Sequence, residues 1–487
     1  MSIQALKRSA AVLEQLPIRQ FVINSEWVQP NDVFICREGA SHDSHSYVDQ
    51  AIKNGAIAVI ANRTLHLDIP VIVTESHYQS LAVVKAVYDH PHQKMNHIGV
   101  TGTNGKTTVA HCLNQMLNQS STSAYIGTLG VQYADVIMAL SNTTPDGVTL
   151  LNIFRDMVEC GVKHNVMELS SHALAQDRAG FLDLEVGIIT NIGRDHLDYH
   201  RTKDAYVQAK LQIIDRIKPG GYAVINMDDP HAPAMFARCH GRVKTVSFSI
   251  HYKDTHNQDA DFVAKEIVSN QFGCSFSLCY RGKQRLVCSQ MPFLFNVENM
   301  LAMACALHAQ GWTLDQIASG LTTIIPPDGR AQFQTLNNGA TGLVDYAHNL
   351  DGLARLFSDI PNQTFRHTLT VVGVTGDRIQ DAAAIGELCA RYSDLVVFTM
   401  DNPLGIDQAD IFRALTSRIE SVSTPVFTIA DRSEAISLAK QMSQKGDLIV
   451  VCGKGSETSQ LISVNKQGLQ DYIGDMPVLM QSMEIQE

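Results

Sequence analysis

Thr101-Gly102-Thr103-Asn104-Gly105-Lys106-Thr107-Thr108 decides the fold class. The apolar run His97-Ile98-Gly99-Val100 precedes it and reads as a strand, and a helical pattern follows. Strand, glycine loop, helix is the context in which a loop cradles nucleotide phosphates. Gly102 and Gly105 let backbone N–H groups turn inward, the helix N-terminus adds a favourable dipole, Lys106 reaches terminal phosphates, and the Thr107 hydroxyl can hold Mg²⁺. Val100 stands where the strict GxxxxGK[ST] pattern has its first glycine. An ordinary glycine turn is the bland alternative, and Gly-Lys-Thr directly after a β run weighs against it.

Outward from this loop, short β-branched runs alternate with helical patterns, the mark of α/β domains with largely parallel sheets. Upstream, Val33–Cys36, Ile57–Ala61 and Val71–Thr74 read as strands of a small α/β unit, and polar Tyr88–Asn96 reads as a linker. Downstream, strands are expected to end near Glu168, Asn191 and Asn226, with a helix over about Asn299–Gln310. Pro326-Pro327 marks a boundary. Beyond it come GLVDY, LTVVGV, LVVFTM, PVFTIA and DLIVVCG, with polar motifs at 345–348, 376–378, 401–403 and 453–455. Ligands of open α/β sheets bind outside the carboxyl ends of strands, so motifs at one edge imply one site. The expected organisation is three α/β domains. These are a small N-terminal domain (1–92), a central P-loop ATPase-like domain with a mostly parallel sheet (93–327), and a C-terminal Rossmann-like domain (328–487).

The 487-residue chain carries a formal net charge of -11, which argues against nucleic acid as partner. No run is long and apolar enough to span a membrane, and MSIQALKRSAAVLEQL has no signal-peptide core. The ten cysteines include no CxxC pair and read as reduced thiols. The expectation is a cytoplasmic protein, monomeric, with no membrane partner. Glu168 and His196 each follow an apolar run, which suits ligands of a hard metal ion beside phosphates. Asp146 lies in a turn-rich loop, and Lys210 on a helical stretch reads alone as a solvated lysine.

TGTNGKTT, NTTPDG, MELSSHAL, TNIGRDHLDYH, YVQAK, FNVEN, DGRAQ, VDYAH, GDR, DNP and GKGSE occur in order from about Asn24 to Glu457. Together they resemble the Mur ligase family, most closely its UDP-N-acetylmuramoyl-tripeptide synthetase branch. That resemblance implies an ATP- and Mg²⁺-dependent ligase of peptidoglycan precursor synthesis, with domains for UDP-substrate, ATP and amino acid. It assigns Gly102, Thr103, Asn104, Gly105, Lys106, Thr107, Thr108, Asn296, Asn299, Arg330 and Asp345 to ATP, with His348 nearby. Lys106, Glu168, His196 and Lys210 would be catalytic. Thr107, Glu168, His196 and Lys210, the last carbamylated to N6-carboxylysine, would serve the metal. Ser25, Thr143, Thr144, Ser170, Gln176 and Arg178 would hold UDP-N-acetylmuramoyl-L-Ala-D-Glu. Arg378, Asn402, Gly453 and Glu457 would hold the incoming diamino acid.

Departures are Asn24-Ser25-Glu26 for the usual AspSerArg, Ser44 for a glycine, Ser456 for a histidine, and Ile379-Gln380-Asp381 where a basic run is usual. Leu404 follows Asp401-Asn402-Pro403, where the meso-diaminopimelate-adding branch has arginine. With Asp407 and Asp410 close by, that loop favours an ammonium-ended side chain, so L-lysine is expected ahead of meso-diaminopimelate or ornithine. Rival readings are a folylpolyglutamate- or cyanophycin-type ligase and a non-catalytic ATP-binding subunit. MELSSHAL weighs against the first, and retained Lys106, Glu168, His196 and Lys210 weigh against the second.

Overall fold

The computed structural model describes residues 3–38, 43–251, 260–361, 364–419, 423–463 and 468–481. The fold is mixed α/β with mostly parallel sheets, as expected. Two compact units are present: Met1–Gly99 with Leu117–Glu185 and Arg216–Lys218, and Val100–Met116 with Val186–Asp215 and Pro219–Glu487.

In the first unit, Phe21–Val22, Asp32–Ile35, Ala56–Ala61 and Val71–Val73 pair in that order as a parallel four-stranded sheet. Ala56–Ala61 is apolar throughout because both sheet faces are covered. One face packs Phe21, Val33, Ile35, Ala58 and Ile60, and the other packs Val22, Phe34, Val59 and Ala61. The strand His164–Glu168 pairs in parallel with Ser123–Gly127, which continues through antiparallel Gly130–Tyr133 and Val136–Met138. Tyr88–Asn96, read as a linker, instead holds a 3₁₀ turn at Pro91–Gln93 with Pro91 and His92 buried. The ring of His92 meets Phe181 edge-on at 5.4 Å, so apolar contact overrides the polar composition.

The second unit carries Lys244–Ser249 and Phe262–Asn270 in parallel, then an antiparallel meander through Gly273–Tyr280 and Lys283–Ser289. Its helix Leu294–Ala309 starts earlier than the sequence pattern suggests, because FNVEN is itself its first turns.

A six-stranded sheet follows: Gln332–Thr335, Thr341–Asp345, Leu448–Cys452, Thr368–Val372, Leu395–Phe398 and Val426–Thr428, with only the first strand antiparallel. The period-2 alternation sorts Leu448, Val450 and Cys452 to one core with Leu353, Ile385 and Leu415. Ile449 and Val451 face the other core with Ile436, Ala439 and Leu479. Fully burying a side chain of this kind contributes roughly 1.5–3 kcal/mol. Arg432 and Asp475, both fully buried, pair at 2.7 Å. Arg432 also donates to the Cys452 carbonyl at 2.8 Å, fixing the strand end that leads to Gly453.

Candidate active site

The strand Asn96–Thr101 ends at the glycine loop, and the helix Lys106–Leu117 begins at Lys106. Gly102 (φ +154°) and Gly105 (φ +86°) take backbone angles rare for side-chain-bearing residues. A Cβ at either would strike Thr190 Oγ1 or Asn299 Oδ1 respectively. The loop is held from behind. Thr103 N donates to Asn191 O at 2.8 Å, Asn104 N donates to Asn191 Oδ1 at 3.0 Å, and Thr190 Oγ1 donates to Asn104 O at 2.6 Å. Lys106 Nζ lies on the Gly102 and Thr103 carbonyls at 2.9 and 3.0 Å. Ammonium and helix N-terminus thus concentrate positive potential at one point.

Lys210, on the helix Lys203–Asp215, is almost wholly buried. Its Nζ donates to Gly102 O at 2.6 Å and lies 4.6 Å from the Tyr206 ring centroid. Burial first, and then the Lys106 charge, drive its pKa well below the usual lysine range, with Asp195 opposing. Asn299 Nδ2 donates to Asn296 Oδ1 at 3.0 Å, one helical turn apart. Arg330 Nη2 donates to Thr107 Oγ1 at 3.2 Å. Asp345 accepts from Ala331 N and Ala347 N, both at 2.7 Å, and burial raises its pKa against the pull of Arg330.

His196 takes left-handed backbone (φ +51°), and its Nε2 lies 3.8 Å from the carboxylate of neighbouring Asp195. Buried Asp195 accepts from Arg378 Nε at 3.0 Å and from Asn349 Nδ2 at 3.1 Å. Burial pushes its pKa up, but Arg378, His196 and His348 outweigh burial and hold it well below the usual carboxylate range. Arg378 is pushed upward by the same pair despite its burial.

The motifs after the C-terminal strands share one edge. Lys454 Nζ, fully buried, reaches Asn402 Oδ1 at 3.1 Å, Glu457 Oε2 at 3.2 Å and Asp401 Oδ1 at 3.4 Å. Glu457 Oε1 accepts from Tyr346 Oη at 2.7 Å. Gly453 (φ +116°) would bring a Cβ to 2.7 Å from Asp401 Oδ2.

In the first unit, fully buried Glu168 accepts from Tyr125 Oη at 2.6 Å and Thr128 N at 2.9 Å. Thr144 Oγ1 donates to Glu168 O at 2.7 Å and accepts from Ser170 N at 3.1 Å. Arg178 reaches Thr144 O and Gln176 Oε1, each at 2.9 Å, and Thr143 Oγ1 lies 3.2 Å from Thr128 Oγ1. Thr143, Thr144, Ser170, Gln176 and Arg178 therefore gather around the end of the Glu168 strand. Ser25 is not part of that cluster; its hydroxyl donates to Gln50 Oε1 at 3.2 Å. Ser44 Oγ accepts from Arg37 N and donates to Arg37 O at 3.0 Å, so the hydroxyl at this usual glycine position closes a turn. Asp146 caps the helix Gly147–Glu159.

The description Mur ligase middle domain matches residues 100–307, and Mur ligase, glutamate ligase domain matches residues 329–455. The UDP-N-acetylmuramoyl-L-alanyl-D-glutamate–2,6-diaminopimelate ligase of Geobacillus thermodenitrificans (strain NG80-2) is 34% identical over 452 residues, 90% of each chain. The chain belongs to the Mur ligase family. A ligase of the same name from Lactiplantibacillus plantarum (strain ATCC BAA-793 / NCIMB 8826 / WCFS1) is 34% identical over 454 residues, 91% of this chain and 90% of that one. A solved structure of a ligase of that name aligns with TM-score 0.63 and 27% identity, covering 95% of this chain and 94% of that one.

This Mur ligase is an ATP-dependent acid–amino-acid ligase. No three His, Cys, Asp or Glu side chains gather as a metal cage among the described residues. The expected Mg²⁺ would take one or two protein oxygens and complete its shell with water and phosphate. The Thr107 hydroxyl and the Glu168 carboxylate are oxygens of the right kind. Three residues not singled out in the sequence contact the candidate site residues: Asp195, Tyr346 and Lys454. Each stands inside a quoted motif, which was the available signal, but each has a partner far away in the chain, Arg378, Glu457 and Asn402 respectively. Asp407 caps the helix Gln408–Thr416 and Asp410 pairs with Arg413 at 2.5 Å, so neither is free to attract a substrate ammonium.

Proposed function

We propose that this enzyme adds meso-2,6-diaminopimelate, as third residue, to UDP-N-acetylmuramoyl-L-alanyl-D-glutamate in peptidoglycan precursor synthesis. The observation that carries this reading is the relationship over nine-tenths of the chain to ligases of that name. Regions 1–92, 93–327 and 328–487 would take the UDP moiety, ATP and the amino acid. Thr143, Thr144, Ser170, Gln176 and Arg178, with Ser25, would hold the UDP-linked dipeptide. No helix among the described residues is long and apolar enough to cross a membrane.

A carboxylate oxygen of the dipeptide's D-glutamate attacks the γ-phosphorus of ATP. ADP leaves and an acyl phosphate forms. Lys106, at the loop, meets the charge that develops on the transferring phosphoryl, and Arg330 supplies a second cation beside Thr107. Gly102, Thr103, Asn104, Gly105 and Thr108 shape the phosphate cradle, while Asn296, Asn299 and Asp345 line its nucleotide side. Thr107, Glu168, His196 and Lys210, the last as its carbamate, are the residues expected to serve Mg²⁺, which when bound would supply positive charge to the phosphates. The amine of the acceptor, seated by Arg378, Asn402, Gly453 and Glu457, attacks the acyl carbon. Phosphate leaves and the amine gives up one proton.

L-Lysine is the second reading, and Leu404 is the observation that favours it, because leucine offers no fork to a distal carboxylate. A ligation assay with the UDP-linked dipeptide, ATP and meso-diaminopimelate, L-lysine or L-ornithine decides between them. The highest kcat/KM is expected for meso-diaminopimelate; a clear preference for lysine would reject the first reading.

A further inference from the structure

We propose that Tyr346 is a positioning residue that seats the nucleotide-side cation Arg330 with its ring and the acceptor-side carboxylate Glu457 with its hydroxyl. This rests on the assignment of Arg330 to ATP and Glu457 to the amino acid.

Tyr346 follows the strand Thr341–Asp345. The guanidinium carbon of Arg330 lies 3.9 Å from its ring centroid, well within cation–π range. The same guanidinium reaches Thr107 Oγ1 at 3.2 Å, at the phosphate loop. On the other side, Tyr346 Oη donates to Glu457 Oε1 at 2.7 Å. The second Glu457 oxygen is taken by Lys454, so the carboxylate is fixed from both ends. Burial, then the Glu457 charge, push the Tyr346 phenol pKa upward, which keeps it a proton donor.

The surrounding backbone is built around this ring. A Cβ at Gly455 (φ +55°) would lie 3.1 Å from the Tyr346 ring and 2.7 Å from Gly329 O. A Cβ at Gly329 (φ +70°) would strike the backbone of Gly455 and Ser456. The Arg330 turn and the Glu457 turn therefore touch through two glycines, with Tyr346 against both. One side chain thus spans from the phosphate loop to the acceptor motif, and its two ends are chemically separable.

Substitution separates them. Y346F keeps the ring and removes the donor, and Y346L removes both. The assay varies ATP and the acceptor amino acid independently at saturating UDP-linked dipeptide, with E457Q and R330A measured alongside. A hydrogen bond to a charged group is lost in Y346F, so its acceptor KM is expected to rise about tenfold or more, with the ATP KM within about twofold of wild type. Y346L is expected to raise the ATP KM as well, about fivefold or more. A general packing role would move both constants together. If E457Q raises the acceptor KM and Y346F leaves it unchanged, or if Y346F raises both constants equally, the inference is overturned. An E457Q enzyme with wild-type acceptor KM would instead overturn the site assignment, and the inference with it.

Discussion

Lys210 is expected to act as a carbamate, and its surroundings explain why this lysine is prepared for it. Carbamylation joins a neutral amine to CO₂, giving R–NH–COO⁻ and one proton. An ordinary lysine at about pH 7.4 is neutral in roughly one molecule per thousand. Lys210 is buried, and the neighbouring Lys106 charge further disfavours its ammonium form. Removing that proton by burial recovers up to about a thousandfold in reactive amine, or about 4 kcal/mol. The product is an anion, which attracts Mg²⁺, whereas a plain ammonium would repel that ion. Enzyme prepared and assayed under CO₂-free conditions should lose most ligation activity and regain it with bicarbonate, and ¹³C-bicarbonate should label one buried lysine. Lys210→Ala should lose activity about a hundredfold or more, with partial rescue by short-chain carboxylates. Full turnover by enzyme whose Lys210 is unmodified, by mass spectrometry and crystallography, would refute the reasoning.

Other outcomes follow from the same geometry. Lys106→Ala should reduce kcat about a hundredfold or more while leaving the unfolding transition in place, since Lys106 lies at the loop and not in the core; near-normal turnover by the folded variant sinks the assignment. His97 is buried, with Nε2 donating to His92 O and Nδ1 accepting from Asn165, and burial pulls its pKa down to about 4 from 6.5. The unfolded chain therefore binds more protons between those values, so stability falls as pH falls; His97 alone should remove about 2 kcal/mol by about pH 5, and His97→Gln should flatten denaturant-measured stability by that amount. Leu404→Arg places a guanidinium beside the acceptor motif and should raise kcat/KM for meso-diaminopimelate relative to L-lysine about tenfold; no change in that ratio would show that this position does not read the distal carboxylate.

The parts of the site that follow a strand were legible in the sequence, because an apolar run ending in a polar cluster marks both the element and its carboxyl end. All five apolar runs after Pro327 are strands in the sheet. The contacts between clusters were not legible. Tyr346 and Glu457 are 111 residues apart, and Asp195 and Arg378 are 183 apart. Nothing in either segment says which strand end its partner follows. The meander from Phe262 to Ser289 escaped for another reason. Six of the nine residues of the strand Phe262–Asn270 alternate between partly buried and exposed, so its apolar signal is diluted. Asp407 was misread although its signal was present, since an acidic residue ahead of a helical pattern is first of all a cap.

Register turns these separate motifs into one site. Asp345 pairs with Cys452, Val372 pairs with Cys452, and Phe398 pairs with Val372, so neighbouring strands end level. The residues beyond those ends therefore leave the sheet side by side. Slipping Leu448–Cys452 by a single residue would send Leu448, Val450 and Cys452 into the core built around Ile449 and Val451, and the reverse, misfitting both cores. The two hydrophobic cores thus fix the register. The register in turn brings Tyr346, Asp401, Lys454 and Glu457 within hydrogen-bonding distance of their partners. Core positions with no chemistry of their own thereby set the geometry of the proposed acceptor site, and a core substitution that shifts this register should alter acceptor recognition before it abolishes folding.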